Sequence, residues 1–213
     1  MKMIDYINDF TSHLTEAMEI GESSKFNNTD RSFSNILICG LGGSGIGGTI
    51  LNDIVSGETH IPILSSKDYS IPNFVNENTL VVASSYSGNT EETIYALQKC
   101  LDKNAEVCII TSGGKLKDIA VENKYNHIII PGGHPPRAMF GYAFVQLFYV
   151  LHQYNIINSD FVLDFKKSIK LLKKDKGVIQ NKAKKLSKNI HQNTPIIYTA
   201  KGFEGVAVRF RQQ

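Results

Sequence analysis

Residues 36–45 have the sequence Ile36-Leu37-Ile38-Cys39-Gly40-Leu41-Gly42-Gly43-Ser44-Gly45, an apolar run that ends in glycine and serine. Residues 80–90 follow the same plan with Leu80-Val81-Val82-Ala83-Ser84-Ser85-Tyr86-Ser87-Gly88-Asn89-Thr90. A helical pattern comes after each run, which places backbone N–H groups and a helix N-terminus where an anion can bind. The second run adds hydroxyl groups without a neighbouring Lys or Arg, and several positioned donors suit a phosphoester on a small polar molecule. Together the two loops predict a binding site for a sugar phosphate.

Apolar runs of strand length recur along the chain and alternate with helical patterns. The strand candidates lie at residues 36–39, 61–64, 80–83, 107–110 and 127–130. Runs that are apolar throughout are typical of a parallel sheet that is covered on both faces. The sequence therefore predicts an α/β fold, a doubly wound parallel sheet of about five strands flanked by helices, with ligands beyond the carboxyl ends of the strands.

A first domain is predicted over residues 1–155. An amphipathic helix opens this domain, with its apolar face formed by Ile4, Ile7, Phe10, Leu14 and Met18. A long apolar helix over about residues 136–154 closes the domain.

Residues 156–193 are predicted to form a helical connector with a lysine-rich face. Ten lysines and only two aspartates lie between residues 164 and 190, although the whole chain has a formal net charge of +3. Apolar residues recur at steps of three and four, and no aromatic residue interleaves with the lysines. This pattern favours a solvated helix face over nucleic-acid binding, so no nucleic-acid partner is expected. Gly177 can divide the connector into two helices.

The last 20 residues, 194–213, are predicted to be the truncated start of a second α/β domain. The pattern restarts there with a strand at residues 195–199, a turn at 201–205 and a helix from Val206 onward.

Composition predicts a cytoplasmic protein without a membrane partner. The longest apolar stretch, residues 139–151, is too short to cross a bilayer as a helix, and the N-terminus lacks a signal-peptide core. Cys39, Cys100 and Cys108 form no Cys-x-x-Cys motif, which favours buried free thiols over a metal site or a disulfide.

The order of these motifs resembles the SIS (sugar isomerase) domain. The loop Pro131-Gly132-Gly133-His134-Pro135-Pro136-Arg137-Ala138, together with the unit at residues 197–211, is similar to bifunctional phosphoglucose/phosphomannose isomerases. That resemblance implies two SIS domains per subunit, a homodimer, and no metal or nucleotide cofactor. It also implies an aldose-ketose isomerase that interconverts glucose 6-phosphate or mannose 6-phosphate with fructose 6-phosphate.

Carried over to matching positions, the resemblance also assigns roles to residues. The substrate phosphate is assigned to Gly43, Ser44, Ser85, Ser87 and Thr90. Arg137 is assigned as the catalytic cation, since a guanidinium can stabilise the negative charge of an enediolate. In the family the general base is a glutamate beyond the position of Gln213. The chain is therefore expected to be a fragment that folds at least through residue 155, binds phosphosugar weakly and needs a further C-terminal half for isomerisation.

Two alternatives remain open at this point. Gly40-x-Gly42-x-x-Gly45 after a strand also fits the fingerprint of an NAD(P)-binding domain, but Ser65-Ser66-Lys67 stands where that domain needs an acidic residue. A non-catalytic SIS module that binds phosphosugars is the other alternative, although sensing has no need of Arg137.

Overall fold

The computed structural model describes residues 2–212. Five strands lie at β1 Asn35–Cys39, β2 Ile63–Ser66, β3 Thr79–Ser85, β4 Glu106–Thr111 and β5 Asn126–Ile129. The helices are α1 Met3–Asn8, α2 Phe10–Ser23, α3 Gly43–Val55, α4 Glu91–Leu101, α5 Gly114–Glu122, α6 Phe140–Gln153, α7 Asp160–Ile190 and α8 Glu204–Arg211. A 3₁₀ turn, Pro136–Met139, precedes α6.

The five strands form one parallel sheet in the order β2-β1-β3-β4-β5. Strand β1 lies inside the sheet, where Ile36 pairs with Ile63 of β2 on one side and with Leu80 of β3 on the other. The predicted doubly wound α/β fold is therefore confirmed. The chain reverses its direction of winding between β1 and β3, and the carboxyl ends of these two strands flank the crevice where such sheets bind ligands.

Helices cover both faces of the sheet. Side chains alternate along a strand, so Ile36 and Ile38 of β1 pack toward α2, α3, α6 and α7, while Leu37 and Cys39 pack toward α4 and α5. All four side chains are buried. Burial on both faces explains why these strands are apolar throughout rather than at every second position.

The predicted opening helix is divided into two. Asp9 interrupts it with a backbone at φ −91° and ψ 2°, ending α1 and beginning α2. Leu14 and Met18 are buried as predicted, but Ile4 and Ile7 are more than half exposed. The chain therefore forms two helices of different burial where the apolar pattern predicted one.

Helix α7 runs through Gly177 without a break, so this glycine does not divide the connector into two helices. A glycine inside an exposed helix costs about 1 kcal/mol, and the good helix formers around it compensate for that cost. The first turns of α7 belong to the core of the sheet, where Phe161 and Ile169 are buried. Farther along, Ile179 and Leu186 are nearly half exposed.

The strand predicted at residues 195–199 is not present. This segment has no regular structure, and Ile196 and Tyr198 are 74% and 88% exposed. A strand needs a neighbour for its backbone hydrogen bonds, and within residues 2–212 no strand pairs with this segment. That the segment begins a second domain stays a prediction.

Helix α8 packs against α3. The backbone N–H of Gly205 donates to Asp53 Oδ2 at 3.2 Å. A Cβ at Gly205 would lie only 2.7 Å from Cγ1 of Ile50, so glycine permits the close approach of the two helices. Glycine at the start of α8 thus brings the rest of that helix over the beginning of α3.

The described residues contain neither a membrane-spanning helix nor a metal-binding cluster. No helix within residues 2–212 is long and apolar enough to span a membrane. In the same range, no group of three or more His, Cys, Asp or Glu side chains is placed to hold a metal ion.

Candidate functional site

A cleft of about 610 Å³ opens at the carboxyl ends of β1 and β3, where the winding of the sheet reverses. Five of the six residues that the sequence predicted for the site line this cleft. They are Gly43, Ser44, Ser87, Thr90 and Arg137. The fold therefore gathers residues up to 94 positions apart in the chain at the place where doubly wound sheets bind ligands.

The glycine-rich loop after β1 is shaped by close backbone contacts. The N–H of Gly40 donates to the carbonyl of Ser66 at 3.1 Å. A Cβ at Gly40 would lie 2.8 Å from the carbonyl oxygen of Ser84, and a Cβ at Gly45 would overlap the carbonyl of Gly40. Gly42 adopts φ +57°, which favours glycine. This tight turn starts α3 at the edge of the cleft, where the first N–H groups of a helix lack intrahelical partners.

The serine-rich loop after β3 has a buried hydroxyl beneath it. Ser85 Oγ lies 2.7 Å from Thr90 Oγ1 and accepts a hydrogen bond from the N–H of Gly88 at 3.2 Å. Ser85 is buried and does not line the cleft, whereas Ser87 is exposed in it and Thr90 lies on its wall at the start of α4. The structure thus shows that Ser85 stabilises the loop through hydrogen bonds inside it. Direct contact between Ser85 and a phosphate stays a prediction.

The neighbouring loop after β4 holds the serine-rich loop in place. Asn89 Oδ1 accepts a hydrogen bond from the N–H of Lys115 at 3.0 Å, and Ser112 Oγ donates to the carbonyl of Tyr86 at 2.6 Å. Gly88 adopts φ +68°, and a Cβ there would overlap the carbonyl of Gly113. These contacts fix the loop before any ligand binds.

Arg137 reaches the cleft from the 3₁₀ turn that precedes α6, and its side chain is exposed. The segment before it is held by the N–H of His134, which donates to Tyr86 Oη at 3.2 Å. Tyr6 of α1 packs its ring edge-on against His134, with centroids 5.5 Å apart. Burial raises the pKa of Tyr86, and the bond from His134 partly opposes that rise.

The sequence reasoning missed Arg209 of α8, which also lines the cleft. Its Nη2 donates to the carbonyl of Arg137 at 3.0 Å, and its guanidinium carbon lies 4.7 Å from the ring centroid of Phe140. Burial lowers the pKa of Arg209, and the charge of Arg137 lowers it further. Arg209 lies within residues 197–211, which carry part of the family resemblance, but nothing in the local sequence links it to the cleft. It lies 72 positions from Arg137, in a segment interpreted as another domain.

The cleft is cationic. Its wall combines hydroxyl groups, the start of a helix and two guanidinium groups. Among the residues of the described chain that line it, none is a carboxylate. Such a site can bind a dianion, which accepts several hydrogen bonds at once. Glu204, the one carboxylate of α8, accepts a bond from the N–H of Gly202 at 2.7 Å and does not line the cleft.

The fold and the position of the cleft define a doubly wound α/β domain with a cleft at the switch point of its sheet. The family model described as SIS domain matches residues 34–155, more than half of the chain. The chain therefore belongs to the SIS domain family, and the resemblance predicted from its sequence is confirmed.

Known relatives are phosphosugar enzymes by name. The chain is 36% identical over 220 residues to a bifunctional phosphoglucose/phosphomannose isomerase from Caldicellulosiruptor bescii, covering 99% of this chain and 64% of that protein. It is 32% identical over 187 residues to a D-glucosamine-6-phosphate 4-epimerase from Sulfolobus acidocaldarius, covering 86% of this chain and 57% of that protein. The chain thus spans less than two thirds of the length of either relative.

A solved structure shares the fold. The C-terminal domain of glucosamine-fructose-6-phosphate aminotransferase from Francisella tularensis superposes with a TM-score of 0.67 at 16% identity, covering 99% of this chain and 65% of that one. The strand order β2-β1-β3-β4-β5 bears on the alternative of an NAD(P)-binding domain. It differs from the order 3-2-1-4-5-6 that is typical of dinucleotide-binding domains.

Proposed function

We propose that the cleft binds a sugar phosphate and that the protein is an aldose-ketose isomerase. The observation that carries the proposal is the meeting of three kinds of group in one cleft. These are the start of α3 at Gly43 and Ser44, the hydroxyl-bearing Ser87 and Thr90, and the guanidinium-bearing Arg137. Hydroxyls and backbone amides suit the phosphate end of the substrate, and a guanidinium suits a site of developing negative charge.

The proposed reaction moves a proton between C1 and C2 of glucose 6-phosphate, and also of mannose 6-phosphate, to give fructose 6-phosphate. Removing the proton leaves an enediolate, whose negative charge Arg137 stabilises. The proposal assigns the general base to a group other than the described residues that line the cleft, because none of those is a carboxylate. The name of the relative from Caldicellulosiruptor bescii supports this choice of substrates.

A calorimetric titration with fructose 6-phosphate tests the proposal. The chain should bind this ligand, and Ser87→Ala should weaken binding by about tenfold or more, since a hydrogen bond to a charged group is lost. Ser12→Ala, an exposed serine on α2 outside the cleft, is the matched control and should bind as the unchanged chain does.

A parallel titration with NADH separates the isomerase from the alternative of a nucleotide-binding domain. Binding of fructose 6-phosphate alone supports the proposal. Binding of NADH alone overturns it and supports the reading of Gly40-x-Gly42-x-x-Gly45 as a dinucleotide fingerprint.

A further inference from the structure

We propose that Arg209 is a second phosphosugar-binding cation of the cleft, contacting the anionic end of the ligand directly. This inference rests on the proposed function. It assigns a binding role to a helix that lies outside the residues 34–155 matched by the SIS family model.

The guanidinium of Arg209 is held at the start of α3. Its Nη1 lies 3.5 Å from the position that a Cβ would occupy on Gly43, which places the guanidinium in contact range of this residue. Gly43 is also the first residue of α3, where the positive end of the helix favours an anion. Arg209 therefore adds its charge at the point to which the helix already attracts a phosphate.

Arg209 is held in this position by its own contacts and by the packing of its helix. Its Nη2 donates to the carbonyl of Arg137, its guanidinium packs over Phe140, and α8 is fixed to α3 through the bond from Gly205 to Asp53. A side chain that is fixed before binding loses less conformational entropy when a ligand arrives.

The charges of the cleft are complementary to a phosphate dianion. Arg137 and Arg209 both line it, and no carboxylate does so among residues 2–212. Burial lowers the pKa of Arg209, and the positive charge of Arg137 lowers it further, so the two guanidinium groups lie close enough to interact. A phosphate in the cleft is attracted by both of them.

The test is a double-mutant cycle read by calorimetry with fructose 6-phosphate. The variants of the chain are Arg209→Gln, Arg137→Gln and the two combined. Arg209→Gln should weaken binding by about 10- to 100-fold, the size expected for a lost charge-assisted hydrogen bond. The loss should persist in the Arg137→Gln background if Arg209 contacts the ligand itself.

Two further variants serve as controls. Arg211→Gln lies on the same helix, is exposed and does not line the cleft, so it should bind as the unchanged chain does. Arg209→Lys keeps the charge but not the planar fork of donors, and it should lose less affinity than Arg209→Gln. It also keeps the test decisive should Arg209→Gln fail to fold.

The outcomes separate this inference from the proposed function. Unchanged binding by Arg209→Gln and Arg209→Lys overturns the inference and leaves the proposed function standing. A loss that disappears in the Arg137→Gln background also overturns it, since Arg209 would then only position Arg137. A chain that binds no fructose 6-phosphate at all overturns both.

Discussion

The hydroxyl groups of Ser85 and Thr90 form a hydrogen bond of 2.7 Å that joins the end of β3 to the start of α4. This bond closes the loop that contains Ser87, so the exposed hydroxyl in the cleft depends on a buried one beneath it. The serine buried beneath the loop is therefore a different one from the serine that lines the cleft, although both belong to the same Ser-rich motif.

Ser85→Ala should destabilise the fold and Ser87→Ala should not. The first change removes the partner of Thr90 and of the N–H of Gly88, at a cost of about 1–2 kcal/mol in the free energy of unfolding. The second removes only the bond of 3.2 Å that Ser87 Oγ accepts from the N–H of Asn89. Because both residues are exposed, water can replace this bond and less than about 0.5 kcal/mol is expected. Urea unfolding of the two variants checks the difference, and equal free energies would contradict it.

Gly88→Ala should destabilise the fold strongly. Its backbone adopts φ +68°, and a Cβ there would overlap the carbonyl of Gly113. Strain and steric overlap together should lower the free energy of unfolding by about 2–4 kcal/mol. Gly177→Ala is the matched control, because open space surrounds this glycine inside a helix, and it should stabilise by about 0.5–1 kcal/mol. Thermal unfolding of both variants measures the two opposite shifts.

The sequence predicted the sheet and most of the cleft because both depend on local patterns. Each strand is an apolar run, and the loops that follow β1 and β3 meet because the carboxyl ends of parallel strands share one edge. Arg209 could not be found in this way, since its place depends on how α8 packs on α3 through Gly205. The prediction of a strand at residues 195–199 was wrong because it too depends on packing: an apolar run forms a strand only beside a partner strand.

Stability should fall as the pH is lowered through the range of His13. Burial of the His13 imidazole lowers its pKa from 6.5, although the charges of Asp9 and Glu16 oppose this effect. The unfolded chain therefore binds the proton at a higher pH than the folded chain does. Stability rises with pH wherever the unfolded state holds more protons, so the contribution of His13 is lost as the pH falls below about 6.5 toward the folded pKa.

Melting temperatures measured between about pH 7 and pH 5 test this expectation. His13→Phe keeps a ring against Tyr142, whose centroid lies 5.3 Å away, and should show a shallower fall than the unchanged chain. His191→Gln, an exposed histidine after α7, should keep the original slope. An unchanged slope in His13→Phe would remove His13 as the cause.

The last prediction concerns turnover by the chain of residues 1–213. Its cleft offers the proposed phosphate contacts and Arg137, but none of the described residues that line it is a carboxylate. A positioned general base contributes about 10²- to 10⁴-fold to the rate of a proton transfer. We therefore expect the chain to bind fructose 6-phosphate and to form glucose 6-phosphate at least about 10²-fold more slowly than the isomerase from Caldicellulosiruptor bescii.

An assay coupled to glucose-6-phosphate dehydrogenase measures this rate, and the heat-denatured chain sets the background. Turnover as fast as that of the relative would mean that a group of this chain reaches the substrate as a base. Glu204 is then the first candidate, because it begins the helix that carries Arg209 into the cleft. Loss of that turnover in Glu204→Gln, with binding of fructose 6-phosphate unchanged, would assign the base to Glu204. If the chain binds fructose 6-phosphate but its turnover stays near the background, the result agrees with a general base that is not among the described residues lining the cleft.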